Sequence, residues 1–181
     1  MAAQTFTAPS FYASAVHLPN FPGVIERSIS LDLDTLIGAD GTAATVLETN
    51  DVIKVFKLPA NAKLLYGRLD SEDIDSGTTL TLTLRATDGT TTKNFIVAST
   101  VGQAGGFTDT RDAAGVGVQN AYSANSAVGY VMPDNEIDWR VEVLAAAGAT
   151  GAGADNLRVT VGYTMAVENG EVNRVFPTPN P

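Results

Sequence analysis

Alternation of apolar and polar residues is the strongest signal in this chain. Along TTLTLTLRATDGT, Leu80, Leu82, Leu84 and Ala86 fall on one side, and Thr79, Thr81, Thr83, Arg85 and Thr87 on the other. A period of two residues is that of a strand with one buried face. Asp88-Gly89 then predicts a tight two-residue hairpin turn, and TTKNFIVAS the returning strand. The same period recurs in GVIERSISLDLDTL (23–36), where Ile29, Leu31 and Leu33 alternate with Ser28, Ser30, Asp32 and Asp34. In EIDWRVEVLA it places Trp139, Val141 and Val143 inward and Asp138, Arg140 and Glu142 outward. In NLRVTVGYTMAV it places Leu157, Val159, Val161 and Tyr163 on one face.

The stretch VIKVFKLPANAKLLYG (52–67) reads as a strand, a corner stopped by Pro59, and a second strand, with Val55, Phe56 and Leu64 sharing the core. Upstream of it, ATVLETN is dense in apolar and β-branched residues and is interrupted by the turn-like Thr49-Asn50-Asp51. VGYVM (128–132), ended by Pro133, predicts a further strand. Residues 101–127 lose the period and read as a long loop with one weak strand around Val116 and Val118, or with a short helix near 108–114. AAAGATGAGAD reads as a flexible link or a broad hairpin loop. Seven or eight strands with almost no 3.6-residue period predict an all-β fold, an antiparallel β-sandwich. Long irregular connections favour a jelly-roll or related Greek-key topology.

The predicted organisation has three parts. Residues 1–44 hold an N-terminal arm and the first strand or strands, 45–167 the sandwich, and 168–181 a short tail with three prolines. Within the first 22 residues Pro9, Pro19 and Pro22 stand among Phe6, Phe11, Tyr12 and Phe21. Proline at these spacings prevents a long helix, yet the aromatics need a dry surface. An extended arm laid across its own domain, or across a neighbour, satisfies both.

Composition narrows the function. The chain has 181 residues, enough for one domain with a real core, and 44% of them are apolar. Only 17% are charged, and the net charge is −9. That sign opposes binding to nucleic acid and to anionic membrane. Lys54, Lys57, Lys63 and Arg68 are the nearest approach to a basic cluster, and they read as exposed side chains at strand ends. The absence of cysteine excludes disulfides, a thiolate nucleophile and sulfur-ligated metal. The start, MAAQTFTAPS, has no basic region and no apolar core of signal-peptide length, and no run approaches 18 apolar residues. The expectation is a soluble chain made without an export signal.

Candidate chemistry is thin. His17 is the only histidine, which rules out paired-histidine metal motifs and leaves one imidazole for any triad. Asp70, Glu72, Asp73 and Asp75 precede Gly77 and offer oxygen ligands at near-alternate positions. They read either as a calcium loop or, more simply, as a solvated turn, because the spacing is not that of a helix–loop–helix calcium site. Neither GQAGG nor GATGAG has the spacing or context of a phosphate cradle. Trp139 belongs to the core by alternation, and Tyr66, Tyr122 and Tyr130 are the better candidates for exposed recognition. The expectation is no catalytic residue, no metal and no cofactor, with action through surface contact.

A resemblance gives that expectation a form. Lys57-Leu58-Pro59, Leu64-Leu65-Tyr66-Gly67, the Asp88-Gly89 hairpin, Trp139-Arg140-Val141 and Val159-Thr160-Val161-Gly162-Tyr163 follow one another across roughly residues 45–167. This succession resembles the head decoration, or cement, proteins of tailed bacteriophages. The resemblance implies a jelly-roll-like domain on the outer surface of a phage head, made in the host cytoplasm. It further implies a homotrimer that bridges capsomers of the major capsid protein, with no cofactor and no catalytic residues. Another virion component, a head-fibre base or head–tail accessory, and a carbohydrate-binding sandwich are the competing expectations.

Overall fold

The alternating stretches do form strands. In the computed structural model, which describes residues 3–12, 23–38, 40–112, 123–133 and 139–165, they are β1 (Thr5–Thr7), β2 (Ile25–Asp32), β3 (Val52–Lys57), β4 (Ala62–Ser71), β5 (Thr81–Thr87), β6 (Thr92–Ser99), β7 (Gly106–Asp109), β8 (Arg140–Ala147) and β9 (Asn156–Met165). One sheet has the order β1-β3-β8-β5-β6 and the other β2-β9-β4-β7. The pairs β5–β6, β4–β7, β3–β8 and β2–β9 are all antiparallel. They nest outward from the β5–β6 tip, so the chain is one long hairpin wrapped into two facing sheets. That wrapping is the jelly roll, and the fold is an all-β sandwich.

The core lies between the sheets, where the predicted apolar faces meet. Leu80, Leu82, Leu84 and Ala86 are fully buried, as are Val159, Val161 and Tyr163 from the opposite sheet. Trp139 is only 1% exposed. Gly67 faces this interior, and a Cβ there would come within 2.7 Å of the Phe95 ring. Only glycine lets the second sheet approach so closely.

The corner that carries the chain from β3 to β4 joins the two sheets. Register shifts between Lys54 and Phe56, and again between Leu64 and Tyr66, mark bulges on either side of it. The first bulge lets consecutive residues Val55 and Phe56 both be buried, against the alternation. Asn61 takes φ of +59° in the turn, and the Leu58 amide donates to the Trp139 carbonyl at 2.9 Å. The corner is scaffold.

Several elements differ from the pattern-based expectation. Residues 3–12 of the arm lie across their own domain, one of the two placements expected, but as part of the sandwich: β1 pairs with β3 in parallel, Phe6 is buried in the core, and Ser10 Oγ donates to the Val55 carbonyl. Among the described strands every other pairing is antiparallel. The β5–β6 loop spans 88–91 and is not a two-residue turn, since Thr87 and Thr92 form its last pair. The Asp88 carboxylate accepts from the amides of Thr90 and Thr91 at 2.7 and 2.6 Å, a side-chain turn that two residues could not hold.

VGYVM contributes only an isolated bridge between Val131 and Lys63, because Gly129 at φ +83° and the Tyr130-to-Ala127 amide bond turn the chain there. Residues 44–50 form turns in place of a strand. Within the glycine-rich 101–127, β7 is the strand that the pattern missed; Val116 and Val118 lie outside the described residues. The β8–β9 connection is pinned, with Ala149 donating to Leu47 and Ala154 to Asp73, both at 2.7 Å.

Candidate functional site: the outer face of the four-stranded sheet

Strand register assembles a surface that no single segment encodes. Three rows of side chains cross the outer face of the β2-β9-β4-β7 sheet. The first is Glu26, Gly162 and Tyr66; the second Ser28, Thr160, Arg68 and Asp109; the third Ser30, Arg158, Asp70 and Phe107. Paired residues in antiparallel strands point to the same face.

In the first row Gly162 makes room. A Cβ at that position would lie 2.2 Å from the Tyr66 ring, so the ring lies across β9 only because the residue beneath is glycine. The Tyr66 hydroxyl then reaches across and donates to the Glu26 carboxylate. Burial, followed by the hydrogen bond to Glu26, pushes the Tyr66 phenol up to about 12. The Arg111 guanidinium stacks 4.1 Å from the centre of the same ring. It is itself held by Asp109, which accepts from Arg111 Nε at 3.0 Å and from its backbone amide at 2.8 Å.

The second and third rows interlock. Ser28 and Thr160 share a hydroxyl hydrogen bond of 2.8 Å. Arg68 Nε donates to both oxygens of Asp70 at 2.9 Å, and Arg158 adds a second guanidinium 3.5 Å away. Burial opposes ionisation of Asp70, but these arginines hold its carboxyl below the usual range. The Arg68 guanidinium also lies 4.3 Å from the centre of the Phe107 ring, and Phe107 is 57% exposed. An open groove of about 300 Å³ runs beside Asp70, Glu72, Asn156 and Arg158.

Three carboxylates, of Glu26, Asp70 and Asp109, therefore hold or face three guanidiniums, of Arg68, Arg111 and Arg158. Arg68 and Arg111 are each held by a carboxylate before any partner arrives, which lowers the ordering cost of contact. An exposed aromatic standing on such a frame suits recognition of another surface. No histidine lies among the described residues.

The residues singled out from the sequence are scattered. The carboxylates of Asp70, Glu72, Asp73 and Asp75 do not gather at one point. Asp70 is paired with arginine, Glu72 accepts from the Asn156 side chain at 2.9 Å, and Asp73 is exposed. Asp75 is 1% exposed and saturated. Its Oδ1 accepts from the amides of Gly77 (3.0 Å) and Thr150 (2.7 Å), and its Oδ2 from those of Thr79 (3.0 Å) and Leu80 (2.9 Å). Burial raises the Asp75 carboxyl, but the four donors outweigh it and hold the group well below the usual range. One acid of the segment, Asp75, is an internal clamp.

The carboxylates that do meet are Asp32, Asp34 and Asp155, brought together by the β2–β9 pairing. Asp155 is raised, first by the neighbouring Asp34 charge. These three are exposed or half-exposed. Lys57 sits 5.6 Å from the Phe11 ring centre, and Lys63 is exposed. Tyr130 packs on Trp139 with ring centres 5.4 Å apart. His17 and Tyr122 lie outside the described residues. Of the site residues, Tyr66, Arg68 and Asp70 drew notice in the sequence as candidates; Phe107, Arg111 and Arg158 gave no local signal.

No protein-family profile and no curated protein matches the sequence. Among solved structures, the chain is similar to one from the capsid of Ralstonia phage GP4, at 24% identity and a TM-score of 0.60, over 90% of this chain and 99% of that one. It is also similar to a chain of the cyanophage Pam1 capsid asymmetric unit, at 21% identity and a TM-score of 0.47, over 86% and 98%. The first likeness shows a shared fold over nearly the whole of both chains.

Proposed function

We propose that this chain is a virion structural protein that decorates the outside of a tailed-bacteriophage head and bridges its capsomers. The observation that carries the reading is the near end-to-end fold likeness to a chain from the Ralstonia phage GP4 capsid. The outer-face frame supports it, because a rigid, charge-balanced surface with an exposed aromatic can bind without chemistry. In this reading the partner is the major capsid protein and the chain assembles as a homotrimer. Each weak contact is then multiplied by symmetry. The function is contact, and no catalysis is required of it.

The test is recovery and location. Purified particles contain the protein in fixed proportion to the major capsid protein, and a particle reconstruction places it on the outer surface. Phe107→Glu lowers its occupancy on particles while leaving the unfolding midpoint unchanged, since the side chain is mostly in solvent. Lys63→Glu tests the exposed corner in the same assay. Absence from purified particles refutes the proposal.

A further inference from the structure

The groove beside the third row of the outer face is built from the middle of its sheet. Its floor is the β4–β9 pair, where Asp70 lies opposite Arg158 and Ser71 opposite Leu157. Glu72 and Asn156 continue that floor past the end of β4. The Glu72 amide donates to the Asn156 carbonyl at 3.0 Å, and Asn156 Nδ2 to Glu72 Oε2 at 2.9 Å. Phe107 joins from the other side, as the partner of Asp70 on β7.

Three features limit what the groove can take. Its volume of about 300 Å³ stands at the lower end of the range for small-ligand sites, roughly 300–1,000 Å³. Its charges balance, because the carboxylates of Asp70 and Glu72 are matched by the guanidiniums of Arg68 and Arg158, so a charged ligand meets repulsion as well as attraction. Its polar groups are planar and of both kinds. Asn156 has two N–H donors and a carbonyl oxygen, of which the side-chain bond to Glu72 uses one donor, and the Arg158 side chain is 52% exposed.

A neutral sugar meets all three. Each ring hydroxyl both donates and accepts, so two adjacent hydroxyls match the paired atoms of a carboxylate, a carboxamide or a guanidinium edge. The C–H face of the sugar ring needs an apolar platform. Phe107 offers one, 57% exposed and braced by the Arg68 guanidinium 4.3 Å from its ring centre.

We propose that the groove binds a neutral saccharide, which stacks on Phe107 and hydrogen-bonds to Glu72, Asn156 and Arg158. This is a recognition function beyond attachment to a capsid, and it does not rest on that reading.

The test is retention of the purified full chain on an array of neutral hexose and N-acetylhexosamine oligosaccharides, with sialylated and sulfated oligosaccharides alongside. Titration calorimetry with the neutral oligosaccharide that retains it most then compares the chain with Asn156→Ala, Phe107→Ala and Lys63→Glu. Asn156 and Phe107 are exposed, and Lys63 lies near the opposite end of β4 from Asp70. The chain is retained on neutral oligosaccharides. Affinity falls about tenfold in Asn156→Ala and in Phe107→Ala, the loss of a hydrogen bond or of a stacking contact, and is unchanged in Lys63→Glu. Fluorescence of Trp139, the single tryptophan, confirms that all four share one core. No retention on neutral oligosaccharides overturns the proposal, as does retention on the charged ones alone or equal affinity in the four chains. Attachment to a capsid is read separately, by occupancy on particles, so the two readings fail independently.

Discussion

Replacing Asp75 by asparagine tests the internal clamp directly. The carboxylate takes four backbone amides on two oxygens, and three of them belong to the segment that leads into β5. The fourth, from Thr150, ties in the β8–β9 connection. An asparagine keeps one oxygen and turns its NH₂ towards the other two donors. Each buried donor left without an acceptor costs about 1–3 kcal/mol, so the change removes about 2–6 kcal/mol. That is a large share of the stability of a domain this size, which runs to roughly 5–15 kcal/mol.

Urea unfolding followed by Trp139 fluorescence measures the difference at pH 7. The pH dependence provides a second reading. The folded carboxyl titrates below its unfolded value of about 3.9, so its contribution is complete above about pH 5 and is lost as pH falls through and below 4. The carboxamide of Asp75→Asn has nothing to titrate, and the gap between the two proteins narrows from pH 5 to pH 3. Equal midpoints at pH 7, or a gap unchanged over that window, would refute the clamp.

Other outcomes follow from named contacts. Trp139→Ala opens a cavity in the core and lowers stability by about 3–5 kcal/mol, read by circular dichroism because the variant has no tryptophan. Glu26→Gln removes the anion beside the Tyr66 phenol, and ultraviolet titration shows that tyrosine moving down from about 12; a Tyr66 unaffected by the change would break the assignment. Gly162→Ala places a methyl against the Tyr66 ring and costs about 1–3 kcal/mol in the urea midpoint assay, while Glu26→Gln combined with it adds little, because the displaced ring has already lost that partner.

The strands with one buried face were legible because their alternation records burial directly. β5, β8 and β9, with the residues that lead into them, keep the predicted inward sets: Leu80, Leu82, Leu84 and Ala86; Trp139, Val141 and Val143; Leu157, Val159, Val161 and Tyr163. Where the backbone serves another demand the pattern fails. β7 is four residues long, begins where two glycines take positive φ, and exists by pairing with β4, so Gly106-Phe107-Thr108-Asp109 offers no period to read. VGYVM has the composition of a strand, yet Gly129 turns it. Glu142 obeys the alternation and faces outward, but Arg85 and Arg140 close over it and leave it 2% exposed.

The candidate site lay further from the sequence. Tyr66 and Glu26 are 40 positions apart, and Phe107 reaches the same face only through the β4–β7 register. Acidic residues that looked like one group divided into an arginine partner, exposed side chains and a buried clamp, because β4 ends at Ser71 and only Asp70 among them lies in the strand.

By itself the sequence determined an all-β chain, the inward faces of its principal strands, an acid surface that opposes nucleic acid, and a chemistry without thiols and with a single imidazole. Those properties are local or additive, and each residue contributes whatever its neighbours do. The tertiary structure alone decided the nested strand order, the parallel seat of β1 and the arginine–aromatic face. These depend on which strands lie side by side and in what register. A period of two residues states that a strand has two faces, but not which other strand each residue will meet.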